Sequence, residues 1–223
     1  MTATAPYKEN RMVWLFLLAL VCAYLLGSIP FGFLMVRLFT GEDVRQMGSG
    51  RTGGTNTWRV AGRLPGALTT LLDGAKAAAS VWLAQTIVPG NLQTWGMAAA
   101  GVCAILGHNY PVFLRFKGGA GGASCVGGAV GLWWPSILFV LPIALVIWWG
   151  IGYASLATLS VSVIITVLFA LRAIFSPAVA PWEFILYGIG AFLLLGWTLR
   201  PNLRRLLRGE ERRFNPWAKK RQV

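Results

Sequence analysis

Apolar residues run in long blocks along this chain, separated by short polar and glycine-rich stretches. Seven apolar segments can be traced, at roughly 12–36, 66–88, 93–114, 120–134, 135–150, 156–172 and 182–199. A helix crossing the hydrocarbon of a bilayer needs about 20 residues at ~1.5 Å each. The pattern therefore predicts an all-α, polytopic integral membrane protein with about seven transmembrane helices. Segments four to six are shorter than that length, and merging the fourth and fifth gives a six-span alternative. Lys8 and Arg11 precede the first run, as in a secretory signal. No small-x-small cleavage site ends that run, and it continues past Pro30, so it is read as an uncleaved first span.

Composition sharpens this reading. Hydrophobic residues make up 56% of the chain and charged residues 12%, about half the charged share of a soluble domain. No compositional break marks a second domain. A single membrane domain over 1–223, with a basic tail from about 200, is expected. The net charge of +13 points to anionic membrane lipids as partners. Nucleic acid is not expected, because aromatic and basic residues are not interleaved as base stacking requires. Cys22, Cys103 and Cys125 are far apart, with no C-x-x-C and no His/Cys cluster, so they read as packing residues and no metal is expected.

The basic residues also orient the chain. With seven spans, the N-terminus outside and the C-terminus cytoplasmic, one side collects Arg45, Arg51, Arg59, Arg63, Arg115 and Lys117. The tail adds Arg200, Arg204, Arg205, Arg208, Arg212, Arg213, Lys219, Lys220 and Arg221 to that side. Only Lys8, Arg11 and Arg172 fall on the other. Six spans put either the tail or both glycine loops outside and fit the positive-inside rule less well. Trp133-Trp134, Trp148-Trp149, Trp182 and Trp197 lie near the expected interfaces, where indole rings prefer to sit.

Two glycine-rich loops carry the candidate chemistry. The first runs Gly48-Ser49-Gly50-Arg51-Thr52-Gly53-Gly54-Thr55-Asn56-Thr57-Trp58-Arg59. Its G-x-G-x-x-G spacing matches a dinucleotide fingerprint, but no strand leads into it and no crossover unit surrounds it. What survives is a backbone cradle for an anion, flanked by Arg51, Arg59, Ser49 and Thr55. The second loop, Phe116-Lys117-Gly118-Gly119-Ala120-Gly121-Gly122, is a similar cradle, although Gly118 and Gly122 also have the spacing of close helix packing. Against both stands a bland reading in which glycines permit tight turns and arginines obey topology.

Other polar groups are fewer. His108 is the single histidine, beside Asn109 and Pro111 at an expected helix end. Asp73 and Lys76 sit three apart within the second segment, where they can share a helical face and neutralise each other or meet substrate. Ser155 lies in a short polar stretch on the cytoplasmic side. The tail from Arg200 through Asn202 is amphipathic and basic, suited to the inner leaflet, and can also lend Arg200 or Asn202 to a phosphate site. No G-x-S-x-G elbow occurs. Chemistry here would rest on positioning and charge neutralisation rather than a covalent intermediate.

These residues carry a resemblance. Leu26-Gly27-Ser28-Ile29-Pro30-Phe31-Gly32, Asp43-Val44-Arg45, the first glycine loop, and Asp73-Gly74-Ala75-Lys76 occur in order. Gly107-His108-Asn109-Tyr110-Pro111-Val112-Phe113, Phe116-Lys117-Gly118-Gly119, Ser155-Leu156-Ala157 and Asn202-Leu203-Arg204-Arg205-Leu206-Leu207-Arg208-Gly209 follow. Over nearly its whole length the chain resembles the bacterial inner-membrane glycerol-3-phosphate acyltransferases that use acyl phosphate as donor. The resemblance implies a seven-helix, multi-pass enzyme of the bacterial cytoplasmic membrane, with no cofactor and no acyl-CoA. It would transfer a fatty acyl group to the 1-hydroxyl of glycerol 3-phosphate, giving lysophosphatidic acid and phosphate for phospholipid biosynthesis.

The resemblance implies that the Ser49 and Lys117 loops hold phosphates, Arg59 binds substrate and Asn202 lines the site; with the reading of the residues themselves, Ser49, Arg59 and Lys117 are the catalytic candidates. Gly48, Gly50, Arg51, Gly53, Thr55, Asn56, His108, Asn109, Gly118, Gly119, Ser155, Arg200 and Asn202 are the candidates for binding substrate and phosphate. The chain departs from the family pattern at four places. Arg51 stands for asparagine, Ala120 for a second lysine, Leu199 for histidine and Ala77 for a common glycine. The missing lysine and histidine belong to the family's active site, which motivates a rival reading. The rival is a degenerate member that binds lipid or serves as a subunit of a larger membrane-protein complex. A transporter of phosphorylated solutes is disfavoured, since no helix is evidently broken at the bilayer midplane and no inverted repeat is found.

Overall fold

The computed structural model describes residues 5–213, with side chains from residue 10 onward. Lys219, Lys220 and Arg221 of the tail lie outside the described residues, as does the side chain of Lys8. The described chain is helical. Its α-helices are α1 (Ala5–Ser28), α2 (Phe31–Thr40), α3 (Gly54–Ala61), α4 (Arg63–Ile87), α5 (Gln93–Asn109), α6 (Gly122–Leu132), α7 (Ser136–Ile151), α8 (Ala154–Phe175) and α9 (Glu183–Leu207).

The expected first segment is divided in two. Pro30 lacks an N–H and precedes α2, so helix α1 stops at Ser28. The carbonyl of Ile29, left out of both helices, accepts bonds from Phe31 N at 3.2 Å and Lys76 Nζ at 2.7 Å. The fourth and fifth segments stay separate, joined through Trp133-Trp134-Pro135, so the merged helix of the six-span alternative does not form. Four helical stretches are long and apolar enough to cross a membrane: Asn10–Thr40, Gly90–Leu114, Ala154–Phe175 and Glu183–Leu207. Helices α6 and α7 are shorter and apolar. Helix α4 has the length but buries Asp73 and Lys76 midway.

Helix α5 packs on α1, α4 and α9, while α6 lies against α4 and α8, and α8 packs along α9. Backbones touch where α4 crosses α6. A Cβ added to Gly127 would overlap the carbonyl of Gly74, so only glycine allows this approach. The main apolar cluster gathers Ile105, Val161, Ile165, Phe169, Tyr187, Leu195 and Leu199. Tyr187 is fully buried and donates its hydroxyl to the carbonyl of Cys125 at 2.6 Å, which satisfies its polar end. The outside is apolar as well. Trp14, Leu18 and Val21 on α1, Val146 on α7, Val167 and Ile174 on α8 and Leu193 on α9 are exposed. Such belts are lipid-facing surface in a membrane protein.

Candidate active site

The first glycine loop is shaped from within by Asn56. Its side-chain carbonyl accepts the Ser49 N–H at 2.9 Å, and its amide donates to the carbonyls of Met47 at 3.1 Å and Arg51 at 2.9 Å. Gly48 and Gly50 take left-handed backbone angles, φ 59° and 72°, which glycine adopts without strain. A side chain at Gly48 would overlap Asn56 Oδ1. The loop then enters α3, whose first turn no side chain caps. Its leading N–H groups can face an anion. Gly53 is the N-cap, and Thr55 lies in that first turn.

The second loop folds onto the end of α5. Gly119 N donates to the carbonyl of His108 at 3.0 Å, and Phe116 N to that of Pro111 at 2.9 Å. Arg115 and Phe116 sit at φ 52° and 62°, the region non-glycine residues occupy only when their surroundings impose it. The two loops meet where Thr52 N approaches the carbonyl of Gly118 at 3.5 Å. Gly32 backs this point so closely that a Cβ there would overlap the carbonyl of Thr52.

Helix α9 closes the third side. Arg51 Nη2 donates to the carbonyl of Thr198 at 2.9 Å and to Asn202 Oδ1 at 2.8 Å. Asn109 Nδ2 donates to Thr198 Oγ1 at 2.9 Å. Beyond α9 the chain turns at Gly209 (φ 71°) and brings Glu211 back. The Glu211 carboxylate accepts from Ser155 Oγ at 2.6 Å and Asn202 Nδ2 at 3.1 Å. Arg212 donates to the carbonyl of Gly48 at 3.2 Å, and Arg213 to Tyr153 Oη at 3.3 Å. Four separate pieces of chain thus converge at one end of the helices.

Cations dominate the cluster. Burial lowers the Arg51 pKa, as does the nearby Arg205 charge, with Tyr110 and Glu211 opposing. Burial and Arg212 likewise lower that of Arg59, with Glu211 opposing. Both remain guanidinium ions at neutral pH. Positive charges held together against their own repulsion and one carboxylate make a surface that favours a multiply charged anion.

The candidates divide by placement. Arg51, Asn109, Gly118, Gly119, Ser155 and Asn202 meet at this junction, together with Thr52, which was not a candidate. Asn56 is buried inside its loop with its amide fully used, so it shapes the cradle. His108 is buried too, its Nδ1 lying 3.3 Å from Asp73 Oδ1. Ser49 and Lys117 stand exposed at the loop surfaces. Arg200 points elsewhere: it is exposed, it donates to the carbonyl of Trp197 at 2.9 Å, and its guanidinium lies 3.1 Å from the Trp197 ring centroid. Pro201, without an N–H, leaves that carbonyl free for it. Leu199 is 2% exposed and packed in the main apolar cluster, with Ala120 against the same cluster. Of the positions where the resemblance places a histidine and a lysine, Leu199 is therefore built into the core and Ala120 sits partly buried at its edge.

Sequence reasoning did not single out Thr198, Glu211 or Arg212. The signal for Glu211 was the Glu210-Glu211 pair within an otherwise basic tail. Thr198 left no signal, since its role comes only from facing Asn109 and Arg51. A shallow cavity of about 460 Å³, lined in part by Trp133, Leu168 and Arg172, lies at the far end of α8, roughly 25 Å along the helix from Ser155.

A family model described as Glycerol-3-phosphate acyltransferase matches residues 17–209. The glycerol-3-phosphate acyltransferase of Gloeobacter violaceus is 38% identical over 190 residues, covering 85% of this chain and 90% of the relative. That of Mesorhizobium japonicum is 40% identical over 200 residues, covering 90% and 96%. The crystal structure of PlsY (YgiH), an integral membrane glycerol 3-phosphate acyltransferase, in its glycerol 3-phosphate form has a TM-score of 0.75 to this fold. It is 32% identical, over 90% of this chain and 96% of that one. The lysophosphatidic acid form scores 0.74 at 30% identity.

Proposed function

This chain belongs to the glycerol-3-phosphate acyltransferase family, and from that premise we propose that it transfers a fatty acyl group from acyl phosphate to the 1-hydroxyl of glycerol 3-phosphate. The products are lysophosphatidic acid and phosphate, and the reaction serves phospholipid synthesis. The observation that carries the reading is the junction of both glycine loops with α9, through Thr52–Gly118 and through Arg51 to Thr198 and Asn202.

Both substrates carry phosphate, and the junction offers two cradles. The first loop, with Ser49, Arg51, Arg59 and the leading N–H groups of α3, holds one phosphate. Lys117, Gly118 and Gly119 hold the other, and Ser155 and Asn202 line the space between. The attacking hydroxyl adds to the acyl carbonyl, the C–O bond to phosphate breaks, and the hydroxyl proton passes to the departing phosphate, which leaves as the hydrogen phosphate dianion. Charge on the leaving group grows along this path, and the arginines stabilise it without needing to take a proton. Preorganised positioning supplies the remaining advantage.

Seven membrane-embedded units, α1 with α2, α4, α5, α6, α7, α8 and α9, would place the N-terminus outside. Both loops and the tail would then face the cytoplasm at the bacterial inner membrane. The asymmetry of Lys and Arg supports this orientation, and the acyl chain would enter from the surrounding leaflet. The test is direct. Purified protein is given acyl phosphate and glycerol 3-phosphate, and lysophosphatidic acid and phosphate are followed together. Both should appear in equal amounts; no phosphate above the blank would defeat the proposal.

A further inference from the structure

We infer that, within the buried cluster Asp73–Lys76–His108, Asp73 is a positioning residue for the second glycine loop and acts on it through the His108 ring. This rests on reading the loop as a phosphate cradle. The three side chains are only 1%, 4% and 5% exposed. Asp73 and Lys76 lie three apart on one face of α4, with Asp73 Oδ1 2.7 Å from Lys76 Nζ and 3.3 Å from His108 Nδ1. Burying such charges costs several kcal/mol per ion. An apolar pair of similar volume would fill the space, so packing alone does not account for them.

The two partners of Asp73 point in different directions. Lys76 reaches the break between α1 and α2, donating to Ile29 O at 2.7 Å with Phe31 5.6 Å away. His108 reaches the loop. With Nδ1 turned to the Asp73 carboxylate, its Nε2 edge lies against Gly119 so closely that a Cβ there would overlap it. The His108 carbonyl accepts the Gly119 N–H, and a Cβ on Gly118 would overlap that same carbonyl. Both glycines of the cradle therefore rest on one residue whose ring faces the Asp73 carboxylate. The left-handed Arg115 and Phe116 just upstream each cost about 1–3 kcal/mol; backbone bonds to Val112 and Pro111 hold that turn, and the His108 platform takes over where the glycine run begins.

The experiment compares Asp73→Asn with Lys76→Met in the full-length protein. Both break the ion pair, but only the first releases His108. Three quantities are read: melting temperature, KM for glycerol 3-phosphate at saturating acyl phosphate, and trypsin nicking after Arg115 and Lys117 in the folded protein. We expect similar losses of melting temperature. Asp73→Asn should raise KM by about tenfold or more and speed nicking, while Lys76→Met leaves both within about threefold. Equal changes in the two variants, or no change in either, would overturn the inference. Should Asp73→Asn not fold, Gly119→Ala, His108→Ala and their double variant decide the matter. Removing the ring should relieve the collision, so the double variant binds better than Gly119→Ala alone; additive losses would overturn the inference. Absence of turnover in the unaltered protein would count against the transferase reading, and nicking alone would then judge the positioning.

Discussion

The two glycine-rich loops reach the same junction but are held by opposite means. The first is organised by a side chain inside it: Asn56 bonds Ser49, Met47 and Arg51, and its arginine clasps α9 from within. The second has no such internal clamp in its glycine run. It lies on His108, and behind that on a charge pair buried in α4. One loop carries its scaffold in its own sequence, whereas the other borrows it from helices about 10 and 40 residues upstream. Residues that shape a site are therefore not always those nearest its ligand.

The largest effect should come from removing the internal clamp. Asn56→Ala deletes three hydrogen bonds and frees the first loop, and we expect transferase activity to fall about a hundredfold or more. The second loop should be untouched, with trypsin nicking after Lys117 at its original rate. Accelerated nicking there would show that the loops form one unit and would break the contrast.

Next comes Arg51→Lys. A lysine keeps the charge but is shorter than the guanidinium arm whose one nitrogen, Nη2, donates to both Thr198 O and Asn202 Oδ1. About a tenfold fall in kcat/KM is expected in steady-state kinetics. An unchanged value would mean that charge alone matters at the α9 contact.

Glu211→Ala tests whether the tail belongs with the first loop. It leaves Ser155 Oγ and Asn202 Nδ2 without their carboxylate and should cost about 1–3 kcal/mol, read as a lower melting temperature. Adding Arg212→Ala should cost little more, because its bond to the Gly48 carbonyl depends on the same turn.

The smallest effect concerns Asp43, beside the first loop. Its Arg45 hydrogen bond lowers its pKa, with burial opposing. A depressed folded-state pKa means stability that is present above the ordinary carboxylate range and lost as pH falls through the lowered value. The pair is partly exposed, so the contribution is below about 1 kcal/mol. Asp43→Asn should melt slightly lower than the parent above about pH 5, and the gap should close on further acidification.

Much of the architecture was legible beforehand. Apolar block lengths announced a helical membrane protein, and runs of glycine announced the tight turns at Gly48 and Gly50. Two local signals were misread because their meaning depends on direction. Pro30 sat inside what looked like a continuous span, yet it ends α1 and exposes the carbonyl that Lys76 takes. Arg200 and Asn202 are two positions apart, about 200° around α9, so Asn202 faces the junction and Arg200 turns to Trp197. Asn56 lay in a motif that suggested a ligand contact, and only its three partners identify it as the clamp.

By itself, the order of residues determined the solvent of this protein, its helical class, its excess of positive charge and the presence of two glycine-rich, basic turns. Those properties follow from local composition and backbone freedom, which act within a few residues. Tertiary structure decided that the turns share one junction, that Leu199 and Ala120 serve the core, that Glu211 returns to Ser155, and that Asp73 stands behind His108. These pairings join positions tens to more than a hundred residues apart, and only helix packing brings such distant groups within hydrogen-bond range.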